Sequence, residues 1–171
     1  KTDQSDYAYS IQSIYDINRF WSVNLDLESI GQNFNNNDMG YLYRNDINSQ
    51  KFELSYQDLN PNGKFQERYA SFNLNVQNNN SNNLQLHKSL SLSIGGLLKN
   101  SSHINLGITK NDSTYDDRLI YDYKQDQLGI SMYIPESYGG FLAWSSDNRL
   151  VNSFSIGFGW GENDIDDWGY N

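Results

Sequence analysis

Three observations predict an all-β chain, an antiparallel up-and-down transmembrane β-barrel or about half of a larger one. Apolar and polar residues alternate with a period of two from end to end, no helical period of 3.6 competes, and the connections fall into a short set and a long set. The clearest run is Leu84 to Ile94. Leu84, Leu86, Leu90, Leu92 and Ile94 fall on one face, and Gln85, His87, Ser89, Ser91 and Ser93 on the other. A soluble β-sandwich is the alternative, in which the Leu face meets a second sheet rather than lipid.

About nine strands follow from the alternation. The first runs from Tyr7 to Tyr15, before a turn at Asp16 to Arg19. In the second, Trp21, Val23, Leu25 and Leu27 alternate with Ser22, Asn24, Asp26 and Glu28. A long connection near 31–48 leads to Phe52, Leu54 and Tyr56, which end at the turn Asn60-Pro61-Asn62-Gly63, built from residues that turns select. Phe72, Leu74 and Val76 mark the fourth strand, and the Asn78 to Asn83 loop delivers the Leu84 strand, which extends to Leu98. After a turn at Lys99 to Ser102 come Ile104, Leu106 and Ile108, then a second long connection near 110–126. Leu128, Ile130, Met132 and Ile134 form the seventh strand, Phe141 and Ala143 lie in a short eighth, and Phe154, Ile156, Phe158 and Trp160 in the ninth, followed by an acidic tail from Glu162 to Asp167.

In an up-and-down winding the turns after strands one, three, five and seven share one rim, and all are short. The other rim then holds both long connections. That asymmetry is the one outer-membrane barrels have, with their long loops extracellular, and a sandwich gives no reason for it. Nine strands put the first residue on the extracellular rim and the last on the periplasmic one. Bacterial single-chain barrels have an even number of strands, so the odd count favours a piece of a larger barrel, completed by another chain or segment. Tyr15, Phe20, Trp21, Phe65, Tyr133, Tyr138 and Trp160 are expected near the short-turn rim as an aromatic girdle. Lys88 fits the Leu face badly unless it sits at the outer interface, where it would meet lipid phosphates.

The chain, 171 residues read as a single all-β unit over 1–171, has a composition that agrees. Hydrophobic residues are only 37% yet aromatics reach 15%, which disordered chains lack and single-faced strands produce. There is no cysteine, hence no disulfide and no thiolate metal site. A net charge of -9 argues against nucleic acid, whose phosphates need an excess of Lys and Arg. No run of 18 apolar residues exists to form a transmembrane helix, and Lys1 to Asp6 is not a signal peptide, so an export signal is expected outside these residues.

The run from Trp21 through Gly31-Gln32-Asn33-Phe34, then Asp38-Met39-Gly40-Tyr41-Leu42 and Arg44-Asn45-Asp46, resembles a segment of a bacterial outer-membrane β-barrel family of unknown function. Asp116-Asp117, Pro135 and Ser146-Asp147-Asn148-Arg149 continue the likeness in the same order, so that it spans Trp21 to Trp160. The barrel of that family usually lies C-terminal to a sandwich resembling family 9 carbohydrate-binding modules, which is absent here. The resemblance implies a Gram-negative outer-membrane location and a barrel larger than this chain, and it supplies no catalytic residues.

Arg44, Asp46, Asp117, Asp147 and Arg149 carry that resemblance and are the candidate binding residues, expected at the long-loop rim. There they would hold a ligand or ion at the barrel mouth, or form ion pairs that pin loops to the wall. Tyr41, Tyr43, Tyr115, Tyr121, Tyr123 and Trp144, near them, could stack on a glycan or belong to the interfacial belt. Asn33 to Gly40 lacks the spacing of a calcium loop, with Asp38 its one carboxylate, so no metal is assigned. Asp116 with Asp117, and Asp166 with Asp167, point to opposite sides of an extended chain, which suits no glycosidase pair. Asp26 and Glu28 share a face, as lumen residues expected to pair with a neighbouring Lys or Arg. His87 and His103 have no metal-ligand spacing, and no nucleophile elbow, P-loop or dinucleotide fingerprint is present.

The expectation is therefore an outer-membrane barrel with a polar lumen and a structural, pore or surface-binding role, no cofactor and no enzymatic activity. Its partners would be outer-membrane lipid and lipopolysaccharide, the rest of the barrel, and a glycan. A soluble carbohydrate-binding sandwich is second and a polysaccharide-active enzyme third.

Overall fold

The computed structural model describes residues 6–34, 44–117, 121–122, 127–128, 131–163 and 169–170. The chain is all-β, an antiparallel up-and-down sheet of eight long strands: β1 (Ala8–Asp16), β2 (Trp21–Ile30), β3 (Ile47–Asp58), β4 (Phe65–Asn78), β5 (Gln85–Leu98), β6 (His103–Asn111), β11 (Ser137–Ser145) and β12 (Ser155–Asn163). The two-residue β13 (Gly169–Tyr170) adds to the β12 edge. Among the described residues β1 and β12 do not pair with each other, so the sheet is open. No helix in them is long and apolar enough to cross a membrane.

Cross-strand partners share a face, so the register sorts every side chain. One face carries Leu25 opposite Phe52, Phe52 opposite Leu74, Leu74 opposite Leu90, Leu92 opposite Ile108, and Leu142 opposite Phe158. The other carries Asp26 opposite Lys51, Ser71 opposite Ser93, and Ser91 opposite Thr109. The Ser22 and Ser55 hydroxyls bond across this face at 2.7 Å and those of Ser71 and Ser93 at 2.9 Å, a ladder that small hydroxyl side chains can form directly opposite one another.

Burial runs opposite to that of a globular sheet. Leu92 is 43% exposed and Ile94 46%, while Ser89, Ser91 and Ser93 between them are half-buried. Among the described residues Ile30, at 7%, is the one buried hydrophobic residue, whereas Ser29, Ser49 and Ser102 are all buried. A sheet that curves towards its polar side crowds the small polar side chains and spreads the apolar ones, which is the relation seen.

The seventh strand expected at Leu128 to Ile134 is not part of this sheet. Instead β7 (Thr114–Asp116) pairs with β10 (Met132–Ile134), and β8 (Tyr121–Asp122) with β9 (Gln127–Leu128), in two small ladders. Asn111 faces Ser137 and Thr114 faces Ile134, so the register of β6 with β11 carries on beyond the sheet as a ribbon. Pro135 lies at the break, where a missing N–H interrupts the ladder. The second long connection is thus 112–136, and the first is 31–46.

Removing one strand from the count reverses the direction of everything after it. β12 ends at the long-loop rim, not the short-turn one. Tyr133, Tyr138 and Trp160 lie towards the long-loop rim, while Tyr15, Phe20, Trp21 and Phe65 keep the short-turn end. Trp144, opposite Ile104, sits towards the short-turn end as well. The eighth strand is also longer than expected and in the other phase, with Leu142 and Trp144 on the apolar face and Phe141 and Ala143 on the polar one.

Candidate functional site

The five candidate residues fall into three places. Arg44 meets Asp117 at the long-loop rim, Nη2 to Oδ2 2.6 Å, with both side chains mostly buried. The contact is single, since Arg44 Nε and Asp117 Oδ1 are buried without a partner. It ties the 31–46 connection to the ribbon, whose base is held by Gln85 Nε2 donating to the Ser113 carbonyl at 2.7 Å.

Asp46 lies beside this pair in sequence but faces the 79–84 turn. Its carboxylate accepts from the Asn80 and Ser81 amides at 3.0 and 2.9 Å and from the Ser81 hydroxyl at 2.6 Å. Asn80 in turn donates through Nδ2 to the carbonyls of Ile30 and Ile47, at 2.8 and 3.0 Å. Asn80 is the hub that the sequence hides, one Asn in the run Asn78 to Asn83. The signal that finds it is the register, which brings the ends of β2, β3 and β4 together here.

Asp147 and Arg149 are not at the long-loop rim. They lie in the 146–154 turn between β11 and β12, at the opposite end of the sheet, because the strand count fixes the rim. Arg149 donates from Nε and Nη2 to both Asp147 oxygens, at 2.9 and 2.7 Å, and from Nη2 to Ser101 Oγ at 2.5 Å, linking this turn to 99–102. The Arg149 side chain and then its amide hold the Asp147 carboxyl down at about 2, and the same contacts raise the guanidinium. The five residues therefore do not make one site. Each pins a connection to its neighbours.

Lys88 also finds a partner within the chain. Its ammonium is 2.6 Å from Asp112, Lys110 is 3.1 Å from the same carboxylate, and Glu136 lies 3.5 Å from Lys110. Hydrogen bonds from Lys88 and then Lys110 lower the Asp112 pKa. This charged row closes the apolar face at the long-loop end. At the other end Arg68 pairs with Asp58, opposite it in register, and Asp58 also accepts from the Asn60 amide.

On the polar face Asp26 faces Gln12 and Lys51, and Glu28 faces Ser10 and Ser49. His87 Nε2 is 3.0 Å from Ser89 Oγ, and His103 packs against Tyr69, rings 5.7 Å apart. Among the described residues no hydroxyl is set against a base that a carboxylate orients, the arrangement nucleophilic catalysis uses. No three His, Asp or Glu side chains among the described residues are grouped to hold a metal ion. The residues Asp38 to Gly40, Tyr41 and Tyr43, and Asp166 to Asp167 lie outside the described residues, as do the side chains of Tyr121 and Tyr123.

The family model described as a domain of unknown function (DUF5916) matches residues 1–168. No curated protein and no solved structure matches the chain.

Proposed function

We propose, for a chain that belongs to the DUF5916 family, that it forms wall of a β-barrel in the outer membrane of a Gram-negative cell. The apolar face lies against lipid acyl chains, the polar face lines a water-filled interior, and the long-loop rim faces outward. Strands beyond β1 and β12 complete the ring. The role is that of a pore wall or a surface-binding scaffold, with no chemistry assigned.

One observation carries this reading: Leu25, Leu90, Leu92, Ile94, Ile108, Leu142 and Phe158 of the apolar face are exposed, and the described residues form no second layer over them. Soluble monomers rarely expose contiguous apolar patches beyond a few hundred Å². The charged rows support it. From Lys88 to Gly96, the partner of Arg68, β5 runs ~26 Å at ~3.3 Å per residue. At the ~40° tilt of barrel strands that is ~20 Å along the membrane normal, close to the ~25 Å apolar band of outer-membrane barrels.

Detergent extraction together with SDS gels of boiled and unboiled protein tests the proposal. A wall segment needs detergent to stay dispersed and migrates differently before and after boiling. A chain that stays monomeric and soluble without detergent overturns it, and would place the apolar face against a second sheet instead.

A further inference from the structure

On the polar face, Tyr69 and Phe141 are large aromatic rings set among the Ser, Thr, Asn and Gly residues of β4, β5, β6 and β11. Tyr69 of β4 faces Gly95 of β5, and a methyl group added at Gly95 would collide with its phenol. The ring lies across the bare backbone of β5 and reaches His103 on the strand beyond, centroids 5.7 Å apart. Phe141 of β11 faces Gly107 of β6, where an added methyl would strike the phenyl ring. Tyr69 and Phe141 thus lean over glycines from opposite sides towards the same two strands. Asn105 lies in this space, opposite Gly95 and one step along the face from Gly107, and its Oδ1 has no hydrogen-bond partner.

Charge limits what can dock here. β5, β6, β11 and β12 place no Asp, Glu, Lys or Arg on this face; Asp16, Asp26, Glu28, Lys51 and Glu53 lie on β1 to β3, and Glu67 of β4, two residues from Tyr69, accepts from Gln57 Nε2 at 3.0 Å. An anionic ligand finds no counter-charge beside the rings, the one carboxylate there, Glu67, is already bonded to Gln57, and a wholly apolar ligand would desolvate the surrounding Asn and Ser side chains without replacing their hydrogen bonds. A neutral sugar ring satisfies both conditions, with C–H bonds against an aromatic face and hydroxyls for the amides beside it.

We infer that Tyr69 and Phe141, seated on Gly95 and Gly107, form a stacking platform for a neutral hexose chain on the polar face. As a site inside a barrel this rests on the wall reading above, but the platform itself is testable apart from it. In saturation-transfer NMR of the full chain in detergent, irradiation of aromatic protons transfers saturation to the ring C–H protons of maltohexaose or cellohexaose. Tyr69→Leu and Phe141→Leu, each checked for native strand content by circular dichroism, weaken the affinity by about tenfold or more. Tyr133→Leu, on the ribbon outside the sheet, leaves it unchanged. Absence of transfer to both hexaoses at millimolar concentration overturns the inference, and so does binding that survives both leucine substitutions. A chain that needs detergent and changes mobility on boiling yet binds neither sugar loses the platform and keeps the wall. A chain that binds sugar while soluble without detergent does the reverse.

Discussion

Asp46 has a backbone φ of 56°, a conformation that Asp tolerates better than most residues, and spends its carboxylate on Asn80 and Ser81. Asp46→Ala removes three hydrogen bonds and keeps the strained φ, at a cost of about 1–3 kcal/mol. Amide exchange checks this, with the Asn80 and Ser81 amides losing protection while those of mid-strand β4 keep theirs. At the opposite rim, the Arg149 side chain and amide donate to the Asp147 carboxylate and hold its pKa down at about 2. A carboxyl whose folded pKa is lowered stabilises above its unfolded value and loses that contribution as pH falls through the folded one. The 146–154 turn is therefore held above pH ~4 and released towards pH ~2. Carbonyl NMR titration of Asp147 follows the change, and Arg149→Ala returns the midpoint to the ordinary carboxylate range. Neither role was legible in the sequence. Residue type pointed to Asp46, Asp147 and their neighbours, but their partners lie across the sheet and depend on how many strands intervene.

At the scale of a strand, most of the fold was legible. Trp21 to Leu27 and Leu84 to Ile94 alternate because each strand has one apolar and one polar face, and the register keeps those faces aligned across all eight strands. Two elements were misread for physical reasons. Met132 and Ile134 alternate as a wall strand would, yet a ribbon arm paired with Thr114–Asp116 produces the same pattern. Phe141 looks like an apolar-face residue, but it fills the space above Gly107 and so sets its strand in the other phase. The proposed wall predicts that the two faces respond differently to charge. Leu92→Lys places an ammonium in the middle of the apolar band and costs about 2–4 kcal/mol, whereas Ser91→Lys on the polar face costs less than about 1 kcal/mol. Urea unfolding in lipid vesicles measures both, and equal costs would contradict opposite solvents for the two faces.

For the whole molecule, the proposed wall would place the bilayer on the apolar band between the Lys88–Asp112–Lys110 row and the Arg68–Asp58 pair. Trp144 lies at the Arg68–Asp58 edge of it, whereas Trp160 is level in register with Leu92, in its middle. Reconstituted in vesicles, a single-tryptophan variant that keeps Trp144 should be quenched more by lipids brominated near the headgroup, and one that keeps Trp160 more by lipids brominated at the chain end. Stronger quenching at the chain end for both would remove the band from its proposed place. The strand parity that put Trp144 at the short-turn edge was the least legible feature. It depends on a single element, the ribbon, that belongs to neither wall nor turn.

That ribbon also bears on how the chain folds. Each long strand pairs with its neighbour in sequence, and β6 and β11 are the one adjacent pair separated by a connection as long as 112–136. Left as slack chain, that span would add to the closure entropy of the pair, which grows with the logarithm of loop length. Because β7 and β10 pair with each other in the register β6 and β11 require, the ribbon can form first and deliver the two strands already aligned. The sheet then assembles as a series of local hairpins, the low-contact-order route that favours fast folding. Cutting the ribbon back to a short turn should therefore change refolding rate little, while breaking its pairing, for example with a proline at Tyr115, should slow it.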